Sequence, residues 1–175
     1  MKSKDIAIVG ILLAIGAILR YFLAMLHTPL TPNMIIAFYC LAIILIRPTI
    51  LEALGIGLVA GALSMVISSS MFPPGNLISE PIGALVCFLL YAAMRDRTTF
   101  APTVTTFIAT LASGFTFAAV AIFAIGATYL AKYNGDMMAF VAVFVPIVVI
   151  TAVFNAIIVQ LLYTPSSRVL LRGQE

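Results

Sequence analysis

Long apolar runs, separated by short polar or prolyl breaks, fill this chain from end to end. Six runs stand out, near residues 5–25, 34–46, 50–70, 81–94, 102–131 and 138–163. A helix crosses the hydrocarbon core of a bilayer with roughly 20 apolar residues, so most of these runs are of the length that spans a membrane. The breaks have physical causes. Pro29 and Pro32 forbid a continuous helix out of the first run, and Arg47–Pro48 ends the second. The stretch from Phe72 to Pro81 is the most polar and proline-rich, and Pro81 is expected in the first turn of the fourth helix, where proline is tolerated. Arg95–Asp96–Arg97 closes that helix, and a short polar turn at 132–136 separates the last two. The fifth run is long for one crossing, so it is expected to tilt or to continue into the loop. The expected fold is all-α: one domain over residues 1–175, a compact bundle of six transmembrane helices. The first run is longer than the apolar core of a secretory signal, and no small-residue cleavage site follows it, so it is expected to be a retained helix.

Composition supports a lipid environment. Hydrophobic residues make up 63% of the chain and charged residues 9%, against about a quarter charged in soluble domains. The net charge of +3 would hint at nucleic acid in a soluble protein, but here no nucleic-acid partner is expected, because the cations sort by side. Six spans put both termini on one face, together with Lys2, Lys4, Arg47, Arg95, Arg97, Arg168 and Arg172. The other face has Lys132 and His27. That bias places both termini in the cytoplasm of a multi-pass plasma-membrane protein. The three loops at 27–33, 71–80 and 131–137 then face outward, either closing a binding pocket or merely joining helices. Cys40 and Cys87 lie inside apolar runs and read as packing residues, since two isolated thiols make neither a zinc site nor a disulfide framework.

A few polar residues in or near the spans require an explanation. Arg20 sits about one turn below the outer end of helix one and reads either as an anchor for a substrate carboxylate or as an arginine snorkelling to the headgroups. Glu80 lies where an outer loop re-enters the membrane; it could accept a substrate ammonium, pair with Arg20, or complement the positive end of helix four. Asn33 and Asn76 could contact a ligand or cap the following helices. Asn155, inside helix six, needs a partner and is the better ligand candidate than Gln160, which lies near the cytoplasmic end. Glu52 and Asp96 read as surface ion-pair partners of the neighbouring arginines.

Small residues form two stripes. In helix one, Gly10 and Ala14 share a face that would let another helix approach closely, whether within the bundle or from a partner. In helix three, Gly55, Gly57, Ala60 and Gly61 imitate a dinucleotide fingerprint, but inside an apolar span the pattern reads as tight helix packing. There is no Walker-type phosphate loop, no His-Glu-x-x-His and no nucleophile–base pair, so no catalytic residue, metal site or cofactor is expected, and the chain is not read as an enzyme. Buried acids suited to proton coupling are nearly absent, and no internal helical repeat of the kind seen in secondary transporters is evident. The chain reads as able to bind a solute and unable to drive its transport alone.

Several stretches resemble a known family. They are Ala14–Ile15–Gly16–Ala17, Thr31–Pro32–Asn33–Met34, the run from Pro74 to Pro81, Ser113–Gly114, and Pro146 with Asn155. Together they resemble the S component, or substrate-binding subunit, of an energy-coupling-factor (ECF) transporter, and more narrowly its tryptophan-specific members. The resemblance implies capture of a small molecule, here tryptophan, on the outer side, followed by ATP-driven uptake with a transmembrane coupling protein and two ATPase subunits. It also implies that Gly10 and Ala14 form the face docking onto the coupling protein, with Gly10 replacing the more usual alanine. One departure concerns the site: the resemblance implies a basic residue just before the proline that opens helix four, and here that residue is Glu80. If charges have been exchanged, Arg20 holds the substrate carboxylate and Glu80 its ammonium; if not, the substrate differs from tryptophan. Phe117, Tyr129 and Phe144 are the aromatic candidates for stacking on an indole. Three alternatives stay open: an S component for another vitamin-like ligand, a membrane scaffold without ligand, and a small proton-driven carrier.

Overall fold

The computed structural model describes residues 1–25 and 32–172, with side chains through Arg168. Residues 26–31 and 173–175 lie outside the described residues, and with them His27, Pro29 and Thr31. Six α-helices account for the described chain: α1 (Ser3–Met25), α2 (Met34–Ile46), α3 (Ile50–Ile67), α4 (Asn76–Met94), α5 (Ala101–Ala131) and α6 (Met137–Arg172). A single 3-10 turn, Pro73–Gly75, precedes α4. No strand occurs among the described residues. Five helices are long and apolar enough to cross a membrane. The sixth, α2, has 13 residues and measures only about 20 Å at the rise of an α-helix.

That short helix is the centre of the bundle. Its sequence, MIIAFYCLAIILI, has no polar face, and every residue from Met34 to Ile44 is buried. A helix that is apolar all round must be surrounded. Helix α2 touches each of the other five, which form an arc in the order α1, α3, α4, α5, α6. The arc is open between α1 and α6, which make no contact among the described residues. Enclosed by protein, α2 need not match the bilayer thickness, and its early end leaves space above it. On the outside, lipid replaces packing: Phe123 is 94% exposed, and Leu51, Val66, Met138 and Leu161 are also turned outward.

The observed boundaries differ from the expected ones at four places. Helix α3 stops at Ile67 rather than near 70, because Ser68 turns extended and its hydroxyl accepts the Ser70 amide at 3.2 Å, a local bond that competes with helix. Helix α4 starts at Asn76, so Pro81 lies inside it and not in its first turn. The expectation that Glu80 complements a helix N-terminus falls with it, since Glu80 is one turn further in. Helix α5 breaks at Ile125 (φ −138, ψ 33), just before Gly126, so its length is resolved by a kink rather than by tilt alone. The basic tail after residue 163 continues α6 as helix to Arg172.

The helix-three glycines serve packing, as expected, but not equally. A Cβ on Gly57 would lie 2.6 Å from the Pro81 Cα, and one on Gly61 would lie 2.7 Å from the Asn76 carbonyl oxygen. Gly55 faces nothing within 4 Å. Two glycines therefore let the proline-bent start of α4 lie directly on α3. Glu52 was expected to pair with arginine; instead it caps α3, exchanging bonds with Thr49, and it accepts the N-terminal amine of Met1. Asp96 does pair with Arg95, at 3.4 Å.

Gly57→Ala and Gly61→Ala should each lose about 1–3 kcal/mol by overpacking, whereas Gly55→Ala should be neutral or slightly stabilising. Thermal unfolding of the purified variants in detergent measures the difference; equal melting temperatures for all three would contradict this packing.

Candidate functional site

The space above α2 is a cavity of about 300 Å³, at the end of the bundle away from the clustered cations. Every outer-half candidate from the sequence except Asn155 lines it: Arg20, Asn33, Asn76, Glu80, Phe117, Tyr129 and Phe144. They arrive from four helices and from the residue that precedes α2, and each position follows from a local feature of the chain.

Glu80 is the organising residue. It is 1% exposed, in the second turn of α4. A buried carboxylate is tolerable only when hydrogen-bonded, and its donors come from three other elements. Asn33 Nδ2, at the entrance to α2, donates to Oε1 at 2.5 Å. Ser64 Oγ of α3 donates to the same oxygen at 3.4 Å, and Ser113 Oγ of α5 donates to Oε2 at 3.0 Å. Asn33 occupies the N-cap position of α2 but makes no side-chain cap bond; its amide is turned to Glu80 instead. The other expected cap fails in the same way: Asn76 is the first residue of α4, and its amide bonds back to the Pro73 carbonyl at 2.8 Å.

Arg20 reaches the same cavity from α1. Its Nη1 is buried and has no hydrogen-bond partner among the described residues, and no direct ion pair joins it to Glu80. Its Nη1 is thus enclosed by the bundle, although the residue as a whole is half-buried. Asn33 Oδ1 and Ser79 Oγ are likewise buried without a partner, and both residues line the cavity. Unsatisfied buried polar groups are rare in folded proteins and require an explanation. Three of them around one cavity leave a cation, an amide acceptor and a hydroxyl directed at whatever fills it.

One wall is aromatic. Phe140 is buried and gathers Tyr129, Tyr133 and Phe144, with ring centroids 5.6, 5.5 and 5.1 Å away. The kink at Ile125 redirects the last turns of α5, which carry Tyr129, toward the start of α6. Phe117 closes the opposite side against Gly75, where a Cβ would lie 3.0 Å from its ring. The glycine after two prolines is thus the residue that lets the turn sit over Phe117.

Asn155 does not reach the cavity. Its Nδ2 donates to the Asn33 carbonyl at 3.2 Å and to Thr110 Oγ1 at 3.4 Å, so it supports the lining from behind. Sequence reasoning missed Ser64 and Ser113 as carboxylate donors, and Ser79, Thr110 and Tyr133 as lining residues. Single serines and threonines in apolar helices carry no pattern of their own, although Ser113–Gly114 had been noted as a motif. Gly10 and Ala14, by contrast, are exposed on the outer face of α1, and nothing lies within 4 Å of Gly10. The close packing of α1 on α2 uses Gly16, against Ile35 and Phe38.

Glu80→Ala would strand three donors and should cost about 1–3 kcal/mol for each one left unsatisfied. Glu80→Gln keeps an acceptor and should retain most of the melting temperature. Thermal unfolding of both variants in detergent decides it, and equal behaviour would show that the hydrogen bonds do not hold the site together.

The chain matches the family described as Tryptophan transporter TrpP over residues 2–171. It is 31% identical over 177 residues to the "Probable tryptophan transport protein" of Bacillus subtilis (strain 168), covering 99% of this chain and 96% of that protein. No solved structure matches it. With a membrane bundle, a cavity bearing opposite charges and this coverage, the chain belongs to the TrpP tryptophan transporter family.

Proposed function

We propose that this protein is the substrate-capturing S component of an ECF-type importer for tryptophan. The single observation that carries the reading is the cavity in which Arg20, Glu80 and an aromatic wall meet. Tryptophan is a zwitterion with a flat apolar ring, and the cavity offers a counterpart for each part. Arg20 Nη1, left without a partner, holds the carboxylate by charge-assisted hydrogen bonds. Glu80 and the vacant acceptor Asn33 Oδ1 receive the ammonium. Tyr129, Tyr133, Phe144 and Phe117 pack against the indole. At about 300 Å³ the cavity lies at the small end of the range for ligand sites, as suits one amino acid. Asn76 and Ser79 line the same cavity, and Asn155 positions Asn33 and Thr110.

The orientation follows from charge. The end bearing Lys2, Lys4, Arg47, Arg95, Arg97 and Arg168 is cytoplasmic by the positive-inside rule. Both termini are then cytoplasmic, and the cavity belongs to the outer half of the plasma membrane. Nothing in the chain resembles an ATPase, so energy comes from partners: a transmembrane coupling protein and two ATPase subunits. The exposed small-residue face at Gly10 and Ala14, unused by the bundle itself, is the docking surface for the coupling protein. A second reading, a proton-driven carrier, is favoured by the full burial of Glu80 alone; the three donors on that carboxylate support a fixed binding group instead.

Ligand analogues test the charge assignment. Tryptamine, which lacks the carboxylate, should bind wild-type protein about 10–100-fold more weakly than tryptophan, the range expected for a hydrogen bond to a charged group. Arg20→Ala should erase that preference, and Glu80→Gln should likewise erase the preference for tryptophan over indole-3-propionate, which lacks the amine. Calorimetric titration in detergent measures all of these, and a preference that survives removal of its residue refutes that assignment.

Transport tests the division of labour. Gly10→Leu and Ala14→Leu should abolish cellular tryptophan uptake while leaving the dissociation constant unchanged, because bulk on this face blocks helix approach. Uptake by the purified chain alone in ATP-free vesicles would overturn the S-component reading.

A further inference from the structure

A second cavity, of about 540 Å³, opens at the opposite, basic end of the bundle. The end of α4, the loop to α5, the start of α5 and residues 160–164 of α6 line it. None of its residues takes part in the site described above. We propose that it seats the headgroup of an anionic phospholipid. The inference requires only that the chain spans a bilayer, not that it binds tryptophan.

Three features point to that ligand. The first is charge. Arg95 and Arg97 both line the cavity with one acid, Asp96. Asp96 is engaged by Arg95 Nε at 3.4 Å, while the Arg97 side chain has no ion-pair or hydrogen-bond partner among the described residues. The cavity is left with a net positive charge and an uncommitted guanidinium, whose fork of donors matches phosphate oxygens.

The second is the polar interior. Tyr91 and Tyr163 place their hydroxyl oxygens 3.4 Å apart, and Gln160 and Thr164 stand beside them. Gln160 accepts a hydrogen bond from Thr103 of α5, which ties the two helices at this level. Hydroxyl and amide groups at the back of a cationic pocket suit the glycerol or phosphate oxygens of a headgroup better than they suit an apolar side chain.

The third is the apolar surface next to it. Phe100 and Leu161 adjoin lining residues Thr99, Ala101 and Gln160 in the chain and are 63% and 69% exposed. From Leu161 an apolar stripe continues up α6 through Ile157 and Phe154, also exposed. Residues at these spacings share one helix face. The stripe runs away from the cations toward the middle of the bilayer, the path an acyl chain takes when its phosphate is fixed at the interface. A soluble phosphate would use the arginines but have no use for this stripe, so the lipid is the occupant of choice. Basic pockets between transmembrane helices are a known setting for anionic headgroups.

The test uses the purified, delipidated full chain in detergent. Phosphatidylglycerol and phosphatidylcholine are titrated separately, and bound lipid is counted by native mass spectrometry. Wild type should bind phosphatidylglycerol in preference to phosphatidylcholine at one saturable site. Arg97→Gln should bind it about fivefold more weakly, the effect of losing roughly 1 kcal/mol for one cation near the membrane surface. Lys4→Gln removes a cation at the same end but outside the cavity, and should change nothing. Tyr163→Phe supplies a milder second variant should Arg97→Gln fold poorly, and should also weaken binding. Equal binding of the two lipids, or equal loss in Lys4→Gln and Arg97→Gln, overturns the site. Displacement of the lipid by millimolar inorganic phosphate would assign the cavity to a free anion and overturn the lipid.

Discussion

A carboxylate buried among apolar helices sets the terms for the rest of this structure. Left bare in such surroundings, Glu80 would cost several kcal/mol. The chain answers with donors from the entrance of α2, from α3 and from α5. These bonds cannot form unless four helices meet at one height. Between helices already surrounded by lipid, apolar burial gives little selectivity, because lipid tails are as apolar as leucine. A polar junction does select: sliding any of the four helices by one turn would break it. Glu80 is therefore a register mark, which explains why it lies a turn inside α4 and not at its exposed start.

The same logic explains the short central helix. An apolar helix of 13 residues could not span a bilayer by itself without a mismatch. Surrounded by five longer neighbours, it has no such requirement, and the space beyond its end becomes the cavity. The close approach of α3 and α4, through Gly57 and Gly61, brings Ser64 within reach of Glu80. Packing by small residues and the geometry of the site are thus a single feature seen at two scales.

Much of this was legible in the sequence. The number of helices, most of their boundaries and the sorting of cations come from strong signals: proline breaks, charged punctuation and sustained apolar length. Seven of eight candidate ligand residues also line one cavity; four of them are charges or amides, which near the outer end of a span in an apolar chain have few other uses. The errors arose where a local signal had two readings. Pro81 marks a first turn in many helices, but here the Pro73–Pro74–Gly75 turn starts the helix earlier and leaves Pro81 inside it. Three serines at 68–70 looked compatible with more helix until the Ser68 hydroxyl captured a backbone amide. Asn155 does not line the cavity; its Nδ2 is bonded to the Asn33 carbonyl and to Thr110 Oγ1, partners that only tertiary structure could reveal. The serines that hold Glu80 were illegible for a simpler reason, since a lone hydroxyl on an apolar helix gives no periodic signal.

The contrast between the two charges in the cavity carries the functional argument further than their presence does. Glu80 is already supplied with donors, whereas Arg20 Nη1, Asn33 Oδ1 and Ser79 Oγ are buried and unmatched among the described residues. A carboxylate has room for about four hydrogen bonds, and three are in place, so its position is fixed before any ligand arrives. Among the described residues the Arg20 side chain has no such bonds, and under the proposed reading it gains most from an incoming anion. A zwitterion satisfies this imbalance without changing the net charge of the cavity, whereas a simple anion or cation would leave one of the two groups facing its like or facing nothing. Desolvating a lone charge in such a place is costly, so under the proposed reading the pair discriminates against singly charged solutes even before the aromatic wall selects for shape. Under the proposed reading, recognition of an amino acid begins with the charge balance of the empty site, and the ring contacts then decide which amino acid stays.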